Sequence, residues 1–106
     1  MNKVLCIPRI ESITQIDSIQ KVIDQLNIGL IKKIIEIPHR NNSEYKRILI
    51  YIQLNKESNN TKIIETRFAN KQDVKIIYQF PWYWKIVEAQ YQTQTQTQTQ
   101  NTVNKK

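Results

Sequence analysis

The sequence has one glycine, three prolines and one cysteine among its 106 residues. A loop that cradles nucleotide phosphates needs several glycines to bring backbone N–H groups against the phosphate, so this class of site is excluded. The single cysteine, Cys6, excludes an internal disulfide and a zinc site built from cysteines. Its isolation also fits a reducing compartment.

Long apolar runs are missing as well. No stretch approaches the roughly 18 consecutive apolar residues that a membrane span needs. Met1–Arg9 has no apolar core of the kind found in secretory signals. We therefore expect a soluble, intracellular protein that makes no membrane contact.

The sequence offers little material for catalysis. His39 is the only histidine, Cys6 falls within a predicted strand, and the acidic residues are scattered singly. A Cys–His nucleophile pair needs the two side chains within hydrogen-bond reach, and a metal site needs three or four converging ligands. We predict no enzyme, no metal site and no cofactor.

The composition divides the chain into a predicted domain at residues 1–90 and a tail at residues 91–106. Gln and Thr alternate strictly from Gln92 to Gln100. Such a tract has no apolar face that could offset the entropy of ordering it, so we expect it to be disordered. The same alternation also suits an extended strand, which keeps self-association of the tail as an alternative.

Hydrophobic periodicity predicts the elements of residues 1–90. The predicted strands are Val4–Ile10, Leu30–Ile37, Tyr45–Leu54, Val74–Tyr78 and Trp82–Ala89. The predicted helices are Ile13–Leu26, with Ser12 and Gln15 as a capping box and Asn27 and Gly29 as its stop, and Thr61–Asn70. The order is β-α-β-β-α-β with one extra short strand before the last. It predicts an α+β, ferredoxin-like sandwich with two helices on one face of a four-stranded antiparallel sheet.

This order, together with three strand motifs, resembles the RNA-recognition-motif family over Lys3–Gln90. The first strand matches the aliphatic positions of the family motif at Leu5, Ile7 and Ile10, whereas Cys6 and Arg9 stand at its aromatic and Asn positions. The third strand, Arg47–Leu54, keeps the basic residue at Arg47 and one exposed aromatic at Tyr51, with Leu49 at the other aromatic position. The closing strand, Trp84–Ala89, matches as well. The resemblance implies RNA binding on the exposed sheet face.

The whole chain also resembles small uncharacterised proteins of mimivirus-like giant DNA viruses. The segments that carry this resemblance are Leu5–Arg9, Leu26–Gly29 and Pro81–Lys85. It implies a viral protein, located in the host cytoplasm, the viral factory or the virion.

Charge and strand alternation predict a binding face. Sixteen basic and nine acidic residues give a net charge of +7, which favours a polyanionic partner. We predict a module that binds RNA or single-stranded DNA with weak sequence preference, because cations and flat rings share one face of the sheet. The predicted binding residues are Arg47, Tyr51, Lys85, Tyr83, Arg9, Arg40 and Trp82. The alternative is that the same apolar face binds another protein or a second copy, as an interaction or virion-associated structural module.

The segment Phe80–Trp84 is rich in aromatic side chains, and alternation places Trp82 and Trp84 on the same side of the strand. The favoured interpretation puts Trp84 in the core and lets Trp82 cover its edge. The other interpretation makes Trp82 or Phe80 an exposed stacking residue.

Overall fold

The computed structural model describes residues 2–79 and 81–89, which form five strands and two helices. Their bounds, in chain order, are β1 (Asn2–Glu11), α1 (Ile16–Gln25), β2 (Gly29–Pro38), β3 (Tyr45–Leu54), α2 (Asn59–Ala69), β4 (Val74–Gln79) and β5 (Trp82–Glu88). The predicted boundary at residue 90, the predicted disorder of the tail and the predicted role of Phe80 lie outside the described residues. The α+β class is confirmed, and each strand lies within three residues of its predicted bounds.

The predicted four-stranded ferredoxin-like sheet is wrong. The sheet has five strands in the spatial order β2-β3-β1-β5-β4, and each pairing is antiparallel. The extra short strand, β4, pairs with β5 from Val74 opposite Ile86 to Gln79 opposite Trp82. Since only residues 80–81 separate the two strands, they form a hairpin, and β4 becomes the second edge of the sheet.

One face of the sheet packs under both helices. Ile19 and Ile23 of α1 and Ile64 and Phe68 of α2 belong to the same buried cluster as the inward side chains of the strands. Strict alternation along β3 supplies four of those inward side chains, namely Ile48, Ile50, Ile52 and Leu54. Ile64 and Phe68, four residues apart, are the buried apolar side chains of α2.

The start of α1 differs from the predicted capping box. The helix begins at Ile16, and its cap residue, Gln15, makes no side-chain hydrogen bond to the helix. The Ser12 hydroxyl instead donates to the carbonyl oxygen of Ser43 at 2.7 Å, in the loop between β2 and β3. Ile13 therefore stands outside the helix and is 86% exposed.

A buried lysine, Lys46, lies at the end of the core that is next to the β2–β3 loop. Lys46 of β3 points inward, and its side chain is 9% exposed. Its ammonium donates to the carboxylate of Glu36 and to the carbonyl oxygen of Thr14, the latter at 2.6 Å. Because an unpaired buried charge is costly, these two bonds hold β2, β3 and the segment before α1 in one arrangement.

Candidate nucleic-acid interface

The sheet surface that no helix covers is called the open face. Antiparallel pairing places cross-strand partners on the same side, so the alternation of β3 defines the members of this surface. They are Asn2, Val4, Cys6 and Glu11 of β1, Leu30, Lys33, Ile35 and Ile37 of β2, Tyr45, Arg47, Leu49, Tyr51 and Gln53 of β3, Lys75 and Ile77 of β4, and Tyr83, Lys85 and Val87 of β5. This set contains four cations and one carboxylate, that of Glu11 at the end of β1.

Three tyrosine rings on this side of the sheet each lie close to a cationic side chain from a neighbouring strand. The Nζ of Lys33 lies 4.8 Å from the ring centroid of Tyr51, and the Nζ of Lys75 lies 5.2 Å from that of Tyr83. A third pair brings the guanidinium carbon of Arg9 to 4.0 Å from the centroid of Tyr45. Each distance falls within the roughly 6 Å range of cation–π attraction.

A groove of about 730 Å³ crosses the open face, and we call it the open-face groove. Its floor includes Cys6, Leu49 and Val87, and its wall is the loop from Ile37 to Asn42. His39 holds this loop against β1, because its Nε2 lies 2.9 Å from the carbonyl oxygen of Pro8 and can donate to it. The shape of the groove therefore depends on this contact between His39 and Pro8, which lie 31 residues apart in the sequence.

Arg40 and Arg47 supply the positive charge of the open-face groove. The one carboxylate among its described lining residues, that of Glu88, is paired with Lys3 at 2.9 Å. Among the ion pairs of residues 2–79 and 81–89, none involves either arginine. Lys85 differs, since its Nζ lies 3.6 Å from a carboxylate oxygen of Asp73. The two arginines are thus the cations best placed to meet a phosphate in the groove.

Cys6 lies at the groove floor with 8% exposure. Burial raises the pKa of its thiol above the ordinary value, and the positive charge of Arg47 opposes part of this effect. A buried, neutral thiol is a weak nucleophile. We accordingly assign Cys6 a packing position in the floor of the groove.

The structure divides the predicted site residues between two places. Arg47, Tyr51, Lys85 and Tyr83 share the open face, and Arg40 lines the groove beside Arg47. Arg9 and Trp82 instead line a second cleft, at the end of the sheet where β1 and β5 diverge. Trp84 is buried, as predicted, whereas Trp82 is 64% exposed, a partial burial that is compatible with both interpretations of its role.

Sequence reasoning missed Lys33, Lys75 and Tyr45. The segment from Leu30 to Ile37 has apolar residues on both sides of Lys32-Lys33, so its alternation does not show which lysine shares a face with Tyr51. The register shift between Ile31 and Lys33 decides this, because it leaves Lys32 without a partner on β3. Lys75 could have been found from the alternation of its strand. Lys75 and Ile77 are two residues apart and therefore lie on one side of the strand, whereas Val74 and Ile76 lie on the other.

The described residues contain no group of three or more His, Cys, Asp or Glu side chains that could hold a metal ion. Neither α1 nor α2 is long and apolar enough to cross a membrane.

Comparison with family models, with curated proteins and with solved structures gives no match for this chain. The resemblances to the RNA-recognition-motif family and to giant-virus proteins stay predictions.

Proposed function

We propose that this protein is a non-catalytic module that binds single-stranded RNA or DNA across its open face. The observation that carries the proposal is the pairing of tyrosine rings with cations from neighbouring strands, at 4.0, 4.8 and 5.2 Å. Single-stranded nucleic acid needs both groups together, since cations neutralise the phosphates and flat rings stack on the bases. Tyr51 and Lys33 offer this combination in the middle of the face.

The distribution of charge supports the same partner. The open face contains four cations, Lys33, Arg47, Lys75 and Lys85, against one carboxylate, that of Glu11, and Arg40 adds a further cation at the groove. The helices carry carboxylates on Asp17 and Asp24 of α1 and on Glu65 of α2. A polyanion is therefore drawn to the open face in preference to the helices.

Weak sequence preference follows from the chemistry of the groove floor. Cys6, Leu49 and Val87 offer few hydrogen-bonding groups to the edges of bases. Stacking and phosphate contacts accept every base, so they favour affinity over discrimination.

The test is a salt titration of a labelled single-stranded oligonucleotide with a double variant, Arg40→Ala with Arg47→Ala. Each lost phosphate contact should flatten the slope of log K against log salt by about 0.7, so the double variant should lose about 1.4. The matched control is Lys21→Ala with Lys62→Ala, which removes the same charge from exposed positions on the two helices. The control should keep the wild-type slope.

Equal slopes for the two double variants would contradict the proposal, because they would show an attraction that depends on net charge and not on the open face. Absence of oligonucleotide binding would also contradict it.

A second candidate, a protein-interaction or virion-associated module on the same face, is favoured by the exposed side chains of Leu30, Ile37 and Ile77. A homodimer through this face should appear as a concentration-dependent mass in sedimentation, and Leu30→Lys should abolish it. The resemblance to giant-virus proteins supports an infected cell as the setting of either function.

A further inference from the structure

The sheet opens between β1 and β5. These strands pair at Leu5 opposite Glu88 and at Cys6 opposite Val87, and the described residues contain no further pairing between them. Pro8 has no backbone N–H to donate, and a register shift between Ile7 and Ile10 bends β1 there. Beyond this point β5 continues along β4 alone, so a cleft separates it from β1.

Aromatic rings line this opening, which we call the aromatic cleft and which has a volume of about 540 Å³. Tyr78 stacks on the buried Trp84 with 4.6 Å between ring centroids and 19° between ring planes. Tyr78, Trp82 and Tyr83 are themselves exposed. Exposed rings beside a stacked pair form a surface on which another flat ring can lie. The volume falls within the roughly 300–1,000 Å³ of sites for small ligands.

The charged side chains differ between the aromatic cleft and the open-face groove, and this difference indicates which of the two can hold a phosphate. Glu11 lines the cleft, and its carboxylate takes part in none of the ion pairs of the described residues. Because Arg9 also lines the cleft, a phosphate there would meet one cation and one carboxylate, with no net positive charge. The open-face groove carries two cations, Arg40 and Arg47, against one carboxylate, Glu88, which is already paired with Lys3. The phosphates are therefore favoured in the groove and an uncharged ring in the cleft.

The aromatic cleft and the open-face groove adjoin each other. Pro8 lines the groove, and the next residue, Arg9, lines the cleft. Tyr83, which also lines the cleft, belongs to the open face. Trp82 lies on the same side of β5 as the buried Trp84, so a base of a strand bound in the groove reaches Trp82 through the opening between β1 and β5.

We propose that the aromatic cleft holds one unpaired nucleobase of a single strand whose backbone is bound in the open-face groove. Trp82 stacks on this base, and Arg9 contributes a cation at the edge of the cleft. This inference rests on the proposed function and adds a specific consequence: the protein prefers single strands to duplexes, because a base in a duplex is already stacked and paired.

The experiment measures the affinities of wild-type protein and of Trp82→Ala for four probes. The probes are a single-stranded oligonucleotide, an abasic sugar–phosphate strand of the same length, a duplex and a nucleoside monophosphate. Trp82→Ala should weaken binding of the oligonucleotide roughly 5- to 150-fold, as expected for one lost stacking contact. Its affinities for the abasic strand and the duplex should equal those of wild type. The monophosphate should bind far more weakly than the oligonucleotide, because it lacks the groove contacts.

The matched control is Ile63→Ala, an exposed side chain of α2 that lines neither the cleft nor the groove. It should bind all probes like wild type. Tryptophan emission gives a second readout, since the chain has only Trp82 and Trp84. The oligonucleotide should quench the wild-type emission, and most of this quenching should be absent from Trp82→Phe.

Four outcomes would overturn the inference. An equal loss for the oligonucleotide and the abasic strand would show that Trp82→Ala disturbs the backbone site instead. A monophosphate that binds as tightly as the oligonucleotide would assign the cleft to free nucleotides. Oligonucleotide binding that depends on Arg40 and Arg47 but not on Trp82 would overturn the cleft alone, whereas no binding of any strand would overturn the proposed function as well.

Discussion

Gly29 begins β2 with a φ of 156°, and a Cβ built on it would lie 2.2 Å from the carbonyl oxygen of Gln53. That oxygen belongs to the backbone of β3, so it cannot rotate away as a flexible side chain would. We predict that Gly29→Ala lowers the free energy of unfolding by more than about 1 kcal/mol, measured by urea denaturation.

The control for this prediction is Asn27→Gly, two residues earlier. Asn27 has a φ of 56°, in the left-handed region that glycine adopts without strain, so this change should leave the stability equal or higher. A Gly29→Ala protein as stable as wild type would contradict the close approach of the two strands. The sequence predicted Asn27 and Gly29 as the stop of the first helix, but it did not show that Asn27 itself adopts the left-handed conformation there.

Elements with one strictly apolar face were predicted well. The bounds of β3 agree with the prediction, because Ile48, Ile50, Ile52 and Leu54 alternate with exposed or half-buried residues and so define both the strand and its buried side. The start of α1 was predicted poorly. Ile13 fits the helical period, but the Ser12 hydroxyl bonds to Ser43, a residue 31 positions away, and no local pattern shows such a partner.

The register of β3 can be tested with two neighbouring substitutions. Ile50 has no exposed surface and lies under the helices, whereas Leu49 belongs to the open face. Ile50→Ala should therefore lower the free energy of unfolding by roughly 2–5 kcal/mol, and Leu49→Ala should cost far less. Similar losses in urea denaturation would mean that β3 is displaced by one residue from its register.

For the molecule as a whole, the reactivity of the Cys6 thiol measures how well the folded sheet shields its central strand. Cys6 lies on the central strand, opposite Leu49 on one side and Val87 on the other. Folded protein at about pH 8 should react with an aromatic disulfide reagent several-fold more slowly than protein unfolded in urea, because burial hinders access and raises the pKa of this thiol. Equal rates would contradict its burial.

The raised pKa of Cys6 also gives a pH dependence with a definite sign. A pKa that is higher in the folded state means that folding favours the neutral thiol. This stabilisation is complete below the pKa of the unfolded chain and is lost as the pH rises through the folded pKa. The free energy of unfolding of wild type should therefore fall with alkaline pH more steeply than that of Cys6→Ala.

The sequence by itself determined the α+β class, the positions of the strands, the side of β3 that faces the core and the excess of positive charge. Periodicity suffices for these features, because the side-chain direction follows from the local backbone geometry of each element. Tertiary structure alone decided that β4 joins the same sheet as its edge strand beside β5, that Lys33 lies over Tyr51 and that β1 and β5 separate beyond Cys6. Each of these depends on which residue of one strand lies opposite a residue distant in sequence, and that register is set by long-range packing and by bulges such as those at Lys32 and Pro8.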